Sequence, residues 1–169
     1  MCNETLAQGD EVGQFYQQLC RELQTLICFE PDWLANLANT AALLYHTLAD
    51  INWAGFYLYK QGHLVLGPFQ GQPACVRIAL GQGVCGAAAT QRKTLVVPNV
   101  HQFAGHIACD STSQAEIVVP WCDDGKLIGV LDIDSPKLAR FNTTDARGLE
   151  QVVALLNRYA KPGGIGTEG

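Results

Sequence analysis

Residues 116–134 read "EIVVPWCDDGKLIGVLDID". Two apolar runs flank Asp123, Asp124 and Gly125, and an Asp-Gly step between such runs is a strong hairpin signal, because the tight turns that match strand twist need positive φ. An antiparallel strand pair is therefore expected here. Side chains alternate along a strand, so Leu127, Leu131 and Ile133 are expected on one face and Ile128, Val130, Asp132 and Asp134 on the other. Two same-face acids at i and i+2 lie roughly 6–7 Å apart. At that spacing they can share a cation or raise one another's pKa, although a solvated strand end carries the same pattern.

Upstream, "INWAGFYLYK" (51–60), "HLVLGPF" (63–69) and "ACVRIAL" (74–80) are strand-like and are separated by "QG" and "QGQP" turn signals. Alternation places Trp53 and Tyr57 on one face with Gly55 as a bare patch between them, which is either an aromatic wall or ordinary core packing. "GVCGAAATQR" (83–92) reads as a short helix after a glycine-rich turn, and "TLVVPNV" (94–100) as a strand. Apolar residues at Phe15, Leu19, Leu23, Leu26 and Ile27 predict an amphipathic helix over Val12–Ile27. A second helix is predicted after Pro31 and Asp32, burying Trp33, Leu34, Leu37, Ala41, Leu44, Tyr45 and Leu48. "NTTDARGLEQVVALLNRYA" (142–160) closes the pattern as a capped helix. The sum is an α+β domain: a central antiparallel sheet, helices on one face, and site-forming loops on the other.

The 169 residues fit one domain with one well-buried core, and 48% hydrophobic against 16% charged residues is a globular balance. A net charge of −5 with no basic stripe argues against nucleic acid. The start, "MCNETLAQGD", lacks the charged and apolar regions of a signal peptide, and no apolar run approaches the roughly 18 residues that cross a bilayer. A cytoplasmic protein with no membrane partner is expected. In that reducing compartment seven cysteines, an odd number, point away from a disulfide framework and toward metal binding or catalysis.

The cysteines divide by neighbourhood. Cys20, Cys28 and Cys122 lie in or beside apolar periodic segments and are expected to be buried and inert, and Cys2 belongs to a loose terminus. Cys75 follows "GQPA". Cys85 starts a predicted helix, where the N-terminal dipole favours a thiolate. Cys109 sits in the polar stretch "GHIACDSTSQAEI" (105–117), surroundings that a merely packed thiol would not occupy. Nine and twenty-three residues separate these three cysteines, unlike the close ligand pairs of a zinc site, so no metal is expected. Separated cysteines suit reversible thiol chemistry, in which one thiol captures a sulfenic acid formed on another. His101 and His106 are possible assistants or plain loop residues. "GQGVCG" lacks the lysine of a phosphate loop and departs from the dinucleotide fingerprint.

Five stretches, "ANTAALLYHTLADINWAGFYLY" (38–59), "LVLGPFQGQPACVRI" (64–78), "GQGVCGAAA" (81–89), "GHIACDSTSQAEIVVP" (105–120) and "GVLDIDSP" (129–136), together resemble the free methionine-(R)-sulfoxide reductases, single-domain GAF proteins. The likeness spans about residues 33–157 and departs mainly at the longer N-terminus and at "WCDDG" (121–125), departures that bear on Cys122 and not on the core site. It implies a GAF-like catalytic domain over 11–160, between a flexible N-terminus (1–10) and a flexible tail (161–169). It also implies reduction of free methionine sulfoxide with thioredoxin as electron donor, without a metal or organic cofactor, and it is compatible with a homodimer. By the resemblance, Cys109 is the attacking thiol, Cys75 the resolving one and Cys85 an auxiliary. Glu116, Asp132 and Asp134 match the substrate-binding acids, and Trp53 and Tyr57 the pocket for the methylthio end. Two rivals share parts of the pattern: a ligand sensor, since GAF-type folds often bind small molecules without chemistry, and a thiol-peroxide scavenger.

Overall fold

A computed structural model of the chain describes residues 4–106, 111–160 and 162. In order, it forms α1 (Glu4–Ile27), α2 (Trp33–Thr47), β1 (Trp53–Lys60), β2 (His63–Gly71), β3 (Arg77–Ala79), α3 (Gly83–Gln91), β4 (Leu95–Val97), a 3-10 turn (Val100–Gln102), β5 (Ala115–Asp123), β6 (Lys126–Ser135) and α4 (Thr143–Tyr159). The six strands make one antiparallel sheet in the order β3-β2-β1-β6-β5-β4. The fold is the expected α+β domain, with the expected hairpin as the β5–β6 pair near its centre.

Local chemistry fixes the helix starts. Asp32 caps α2 by accepting from Ala35 N at 2.8 Å. Asn142 and Asp145 form a reciprocal capping box at the start of α4, each side chain accepting from the other's backbone N–H. Tyr16 Oη donates to Asp145 Oδ1 at 2.9 Å, so the same aspartate also ties α4 to α1. The first helix begins at Glu4 rather than at the Val12 where the apolar stripe starts.

Alternation along the strands divides the interior. Ala54, Phe56, Ile117, Val119, Leu131 and Ile133 meet the apolar faces of α1, α2 and α4. Trp53, Tyr57, Val118 and Val130 face the other way, and there the structure corrects the expectation of loops alone: α3 packs on that face through Val84, Cys85, Ala88 and Ala89. Small side chains allow the close approach. A Cβ on Gly86 would stand 2.5 Å from the Ala79 carbonyl oxygen, so only glycine lets α3 sit this near β3.

A second correction concerns β6. Its partners run from Ala115↔Ser135 to Trp121↔Gly129 and then shift to Cys122↔Leu127, which leaves Ile128 as an extra residue. Such a bulge reverses the facing of everything beyond it. Ile128 accordingly packs with the helix-side core and Leu127 with the opposite cluster, the reverse of strict alternation. Asp132 and Asp134 lie on the regular side of the bulge and keep their common face. The outer strands are shorter than their sequence patterns, with only Arg77–Ala79 and Leu95–Val97 in the ladder. Pro98, which has no N–H to donate, follows the second of these directly.

Candidate active site

Register brings the acids together. Glu116 on β5 pairs directly with Asp134 on β6, and Asp134 also pairs with Trp53 on β1. Asp132, two residues back on β6, pairs with Gly55 and Val118. Because β1, β6 and β5 are adjacent and in this register, Trp53, Tyr57, Asp132, Asp134 and Glu116 all open onto the α3 side of the sheet. They line one pocket that opens to solvent at its mouth.

One wall is aromatic. Trp53 stacks on Phe69 at 5.2 Å between ring centroids and on Tyr57 at 6.0 Å. Gly55 makes room for the indole, since a Cβ there would lie 2.8 Å from the Trp53 ring and 2.3 Å from Phe69 Cβ. Trp53 Nε1 donates to the Gln72 carbonyl at 3.1 Å and Tyr57 Oη to the Cys75 carbonyl at 2.9 Å. These two bonds hold the 72–75 segment against the wall. Both readings of the aromatic pair therefore apply, as the rings are buried in a core cluster and also line the pocket.

Beside the aromatic wall, on the same face of the sheet, the pocket is acidic and buried. Glu116 and Asp132 are each only 6% exposed. Burial pushes the Asp132 carboxyl up to about 6, while hydrogen bonding to Cys85 and Glu116 pulls the other way. Glu116 is raised well above the usual carboxylate range, first by burial and then by the charges of Asp132 and Asp134. His106 Nε2 lies 3.8 Å from Glu116 Oε2. Burial and His101 lower the imidazole while burial raises Glu116, so both shifts favour the neutral partners at this contact. Carboxyl groups raised to different extents thus share one small volume. That is the arrangement in which one acid can donate a proton while another holds a cation.

The cysteines separate clearly. Cys85 is buried, and its Sγ donates to Glu116 Oε1 at 3.8 Å. Burial, followed by the charges of Asp132 and Glu116, pushes its thiol well above the ordinary range. The thiolate expected from the helix dipole is therefore overturned: a helix end supplies about half a charge, and here burial and neighbouring acids outweigh it. Cys75 is half-buried at the rim, next to the lining residues Pro73 and Ala74. Cys109 lies outside the described residues. Cys20, Cys28 and Cys122 are half-buried rather than enclosed, and Arg92 Nη1 donates to Cys122 Sγ at 3.3 Å.

Ser113, His106, Gln72 and Gln82 also line the pocket. Ser113 is buried and its Oγ accepts from Asn52 Nδ2 at 3.0 Å, which anchors the chain entering β5 to the chain entering β1. Its only sign in the sequence is its place in the polar stretch before Glu116. Among the described residues, no helix is long and apolar enough to cross a membrane.

The GAF domain profile matches residues 32–159. The chain is 52% identical over 145 residues to the free methionine-R-sulfoxide reductase of Escherichia coli (strain K12), covering 86% of this chain and 88% of that one. Among solved structures, the reduced form of the Staphylococcus aureus fRMsr superposes with a TM-score of 0.82 at 52% identity, covering 85% and 93% of the two chains. The free methionine-R-sulfoxide reductase of Neisseria meningitidis, solved with its substrate, superposes with a TM-score of 0.84 at 45% identity, covering 86% and 88%.

Proposed function

Since the chain belongs to the free methionine-R-sulfoxide reductase family of GAF-domain proteins, an oxidoreductase family, we propose that it reduces free methionine-(R)-sulfoxide in the pocket between α3 and the sheet, with Cys109 as the attacking thiol. The observation that carries this reading is the meeting of three acids with an aromatic wall around one pocket. A zwitterionic amino acid with a methylthio end needs both: carboxylates for the ammonium group, which is costly to bury unpaired, and flat apolar surface for the methyl.

The steps follow from the chemistry of the groups. Cys109 attacks the sulfoxide sulfur while a carboxylic acid, with Glu116 the best placed to be protonated at neutral pH, hydrogen-bonds and protonates the departing oxygen. The oxygen passes to the Cys109 sulfur, methionine leaves, and Cys109 is left as a sulfenic acid. Cys75 then condenses with it, releasing water and forming a disulfide. A thioredoxin-type dithiol takes up the oxidising equivalent by exchange and returns both thiols. Asp132 and Asp134 hold the substrate ammonium. Cys85, protonated and enclosed, packs beneath Glu116 and serves as a reserve thiol.

A single-turnover assay without reductant tests the assignment. The wild-type chain is expected to yield close to one methionine per chain, Cys109→Ser none, and Cys75→Ser one, with thioredoxin-driven cycling lost in the last. Methionine formed by Cys109→Ser would exclude Cys109 as the nucleophile, and a wild-type chain that binds the sulfoxide without losing thiols would favour a sensor.

A further inference from the structure

Three buried groups at the pocket floor form a ligand set that the proposed reaction does not need as a set. One donor atom from each of Cys85, Glu116 and Asp132 lies within 4.8 Å of the other two. Tetrahedral zinc, with bonds of about 2.3 Å to sulfur and 2.0–2.2 Å to oxygen, holds its ligands roughly 3.3–3.7 Å apart. Small side-chain rotations close the difference. A second observation points the same way: Asp132 Oδ1 is buried and has no hydrogen-bond partner among the described residues, although Asp132 lines the pocket. A buried carboxylate oxygen left without a donor is an open coordination position.

We propose that Cys85, Glu116 and Asp132 bind a thiophilic divalent cation, Zn²⁺ or Cd²⁺, and that the bound ion inhibits the enzyme by occupying the seat of the substrate ammonium. The donor set selects the class of ion. One sulfur and two carboxylates suit a borderline or soft tetrahedral ion, whereas Ca²⁺ and Mg²⁺ require six or more oxygen ligands. The fourth position faces the pocket, where His106 lies beside Glu116. Binding exchanges protons for the ion: the Cys85 S–H and any carboxylic proton leave to solvent as the metal bonds form, with no change of oxidation state. Cys85 is on α3, Glu116 on β5 and Asp132 on β6, so the ion ties the short helix to the sheet and raises the melting temperature of the loaded protein. The competition with substrate rests on the function proposed above, but the cation site itself does not.

Cadmium is the probe, titrated by equilibrium dialysis and by its thiolate charge-transfer absorption, with a phosphine in place of thiol reductants. The expected result is one Cd²⁺ per chain, weakened at least tenfold by Cys85→Ser and by the isosteric Asp132→Asn, kept in Cys122→Ser, and displaced by free methionine sulfoxide. Asp132→Asn and Glu116→Gln leave the thiol in place, so the site remains testable if Cys85→Ser does not fold. Unchanged cadmium affinity in Cys85→Ser, or in both carboxamide variants, overturns the site, as does an enzyme that reduces the sulfoxide but binds no cadmium. Cadmium held at Cys85 that methionine sulfoxide cannot displace supports the site and overturns the claim of a shared seat.

Discussion

Asp132 shows what a buried carboxyl costs the fold. Burial raises its carboxyl to about 6 in the folded chain, against about 4 for an ordinary aspartate in an unfolded one. Between those values the folded state holds the proton more tightly, so stability from this group is fully present below pH ~4 and falls as pH rises through about 6. At pH 8 the loss is on the order of 2–3 kcal/mol. Asp132→Asn removes the ionisation while keeping the shape. We expect it to raise the melting temperature at pH 8 by roughly 5–10 °C, to raise it much less at pH 5, and to lower activity sharply. Melts at the two pH values check this; an equal shift at both would mean that ionisation is not the cause. The facing of the two aspartates was legible from alternation in "LDID", but their neighbours were not. Glu116 meets Asp134 only because β5 pairs with β6 in one register, and Cys85 meets Glu116 only because α3 folds over them.

At the scale of elements, the chain advertises its hairpin and helix caps through local signals: Asp-Gly at a turn, Asp32 before α2, and Asn142 with Asp145 at α4. Three features escape local reading. The bulge at Ile128 depends on pairing with β5, the placement of α3 on the site face depends on tertiary packing of a helix that is apolar all round, and the early start of α1 precedes its apolar stripe. Gly55, by contrast, was visible as a gap between Trp53 and Tyr57, and the structure fills it with the indole. An added methyl on β1 would push the Trp53 ring off Phe69. Overpacking of this kind costs about 1–3 kcal/mol. Gly55→Ala is expected to lower the melting temperature by several degrees and, on the proposed reading that the wall binds the methylthio end throughout the reaction, to raise KM for methionine sulfoxide more than it lowers kcat. Thermal melts and steady-state kinetics decide it, and an unchanged KM would show that the aromatic stack does not touch substrate.

As a whole, the molecule uses its sheet twice. Three helices cover one face with an apolar core, while the other carries the acids, the aromatic wall and α3. This division lets buried carboxyl groups be held against their electrostatic cost, since the stabilising contacts lie on the far side of the same strands. It also defines the ligand. A pocket closed by α3 above and by Glu116, Asp132 and Asp134 at its base suits a small molecule that brings its own positive charge. A peptide-bound or acylated nitrogen has no such charge and adds bulk beside desolvated carboxylates, a mismatch for which rejection can reach about 10⁴-fold. The most direct test is kcat/KM for free methionine-(R)-sulfoxide and for its N-acetyl derivative on the wild-type enzyme with thioredoxin present. The account predicts a preference for the free amino acid of about 10³–10⁴-fold; comparable values for the two substrates would contradict it.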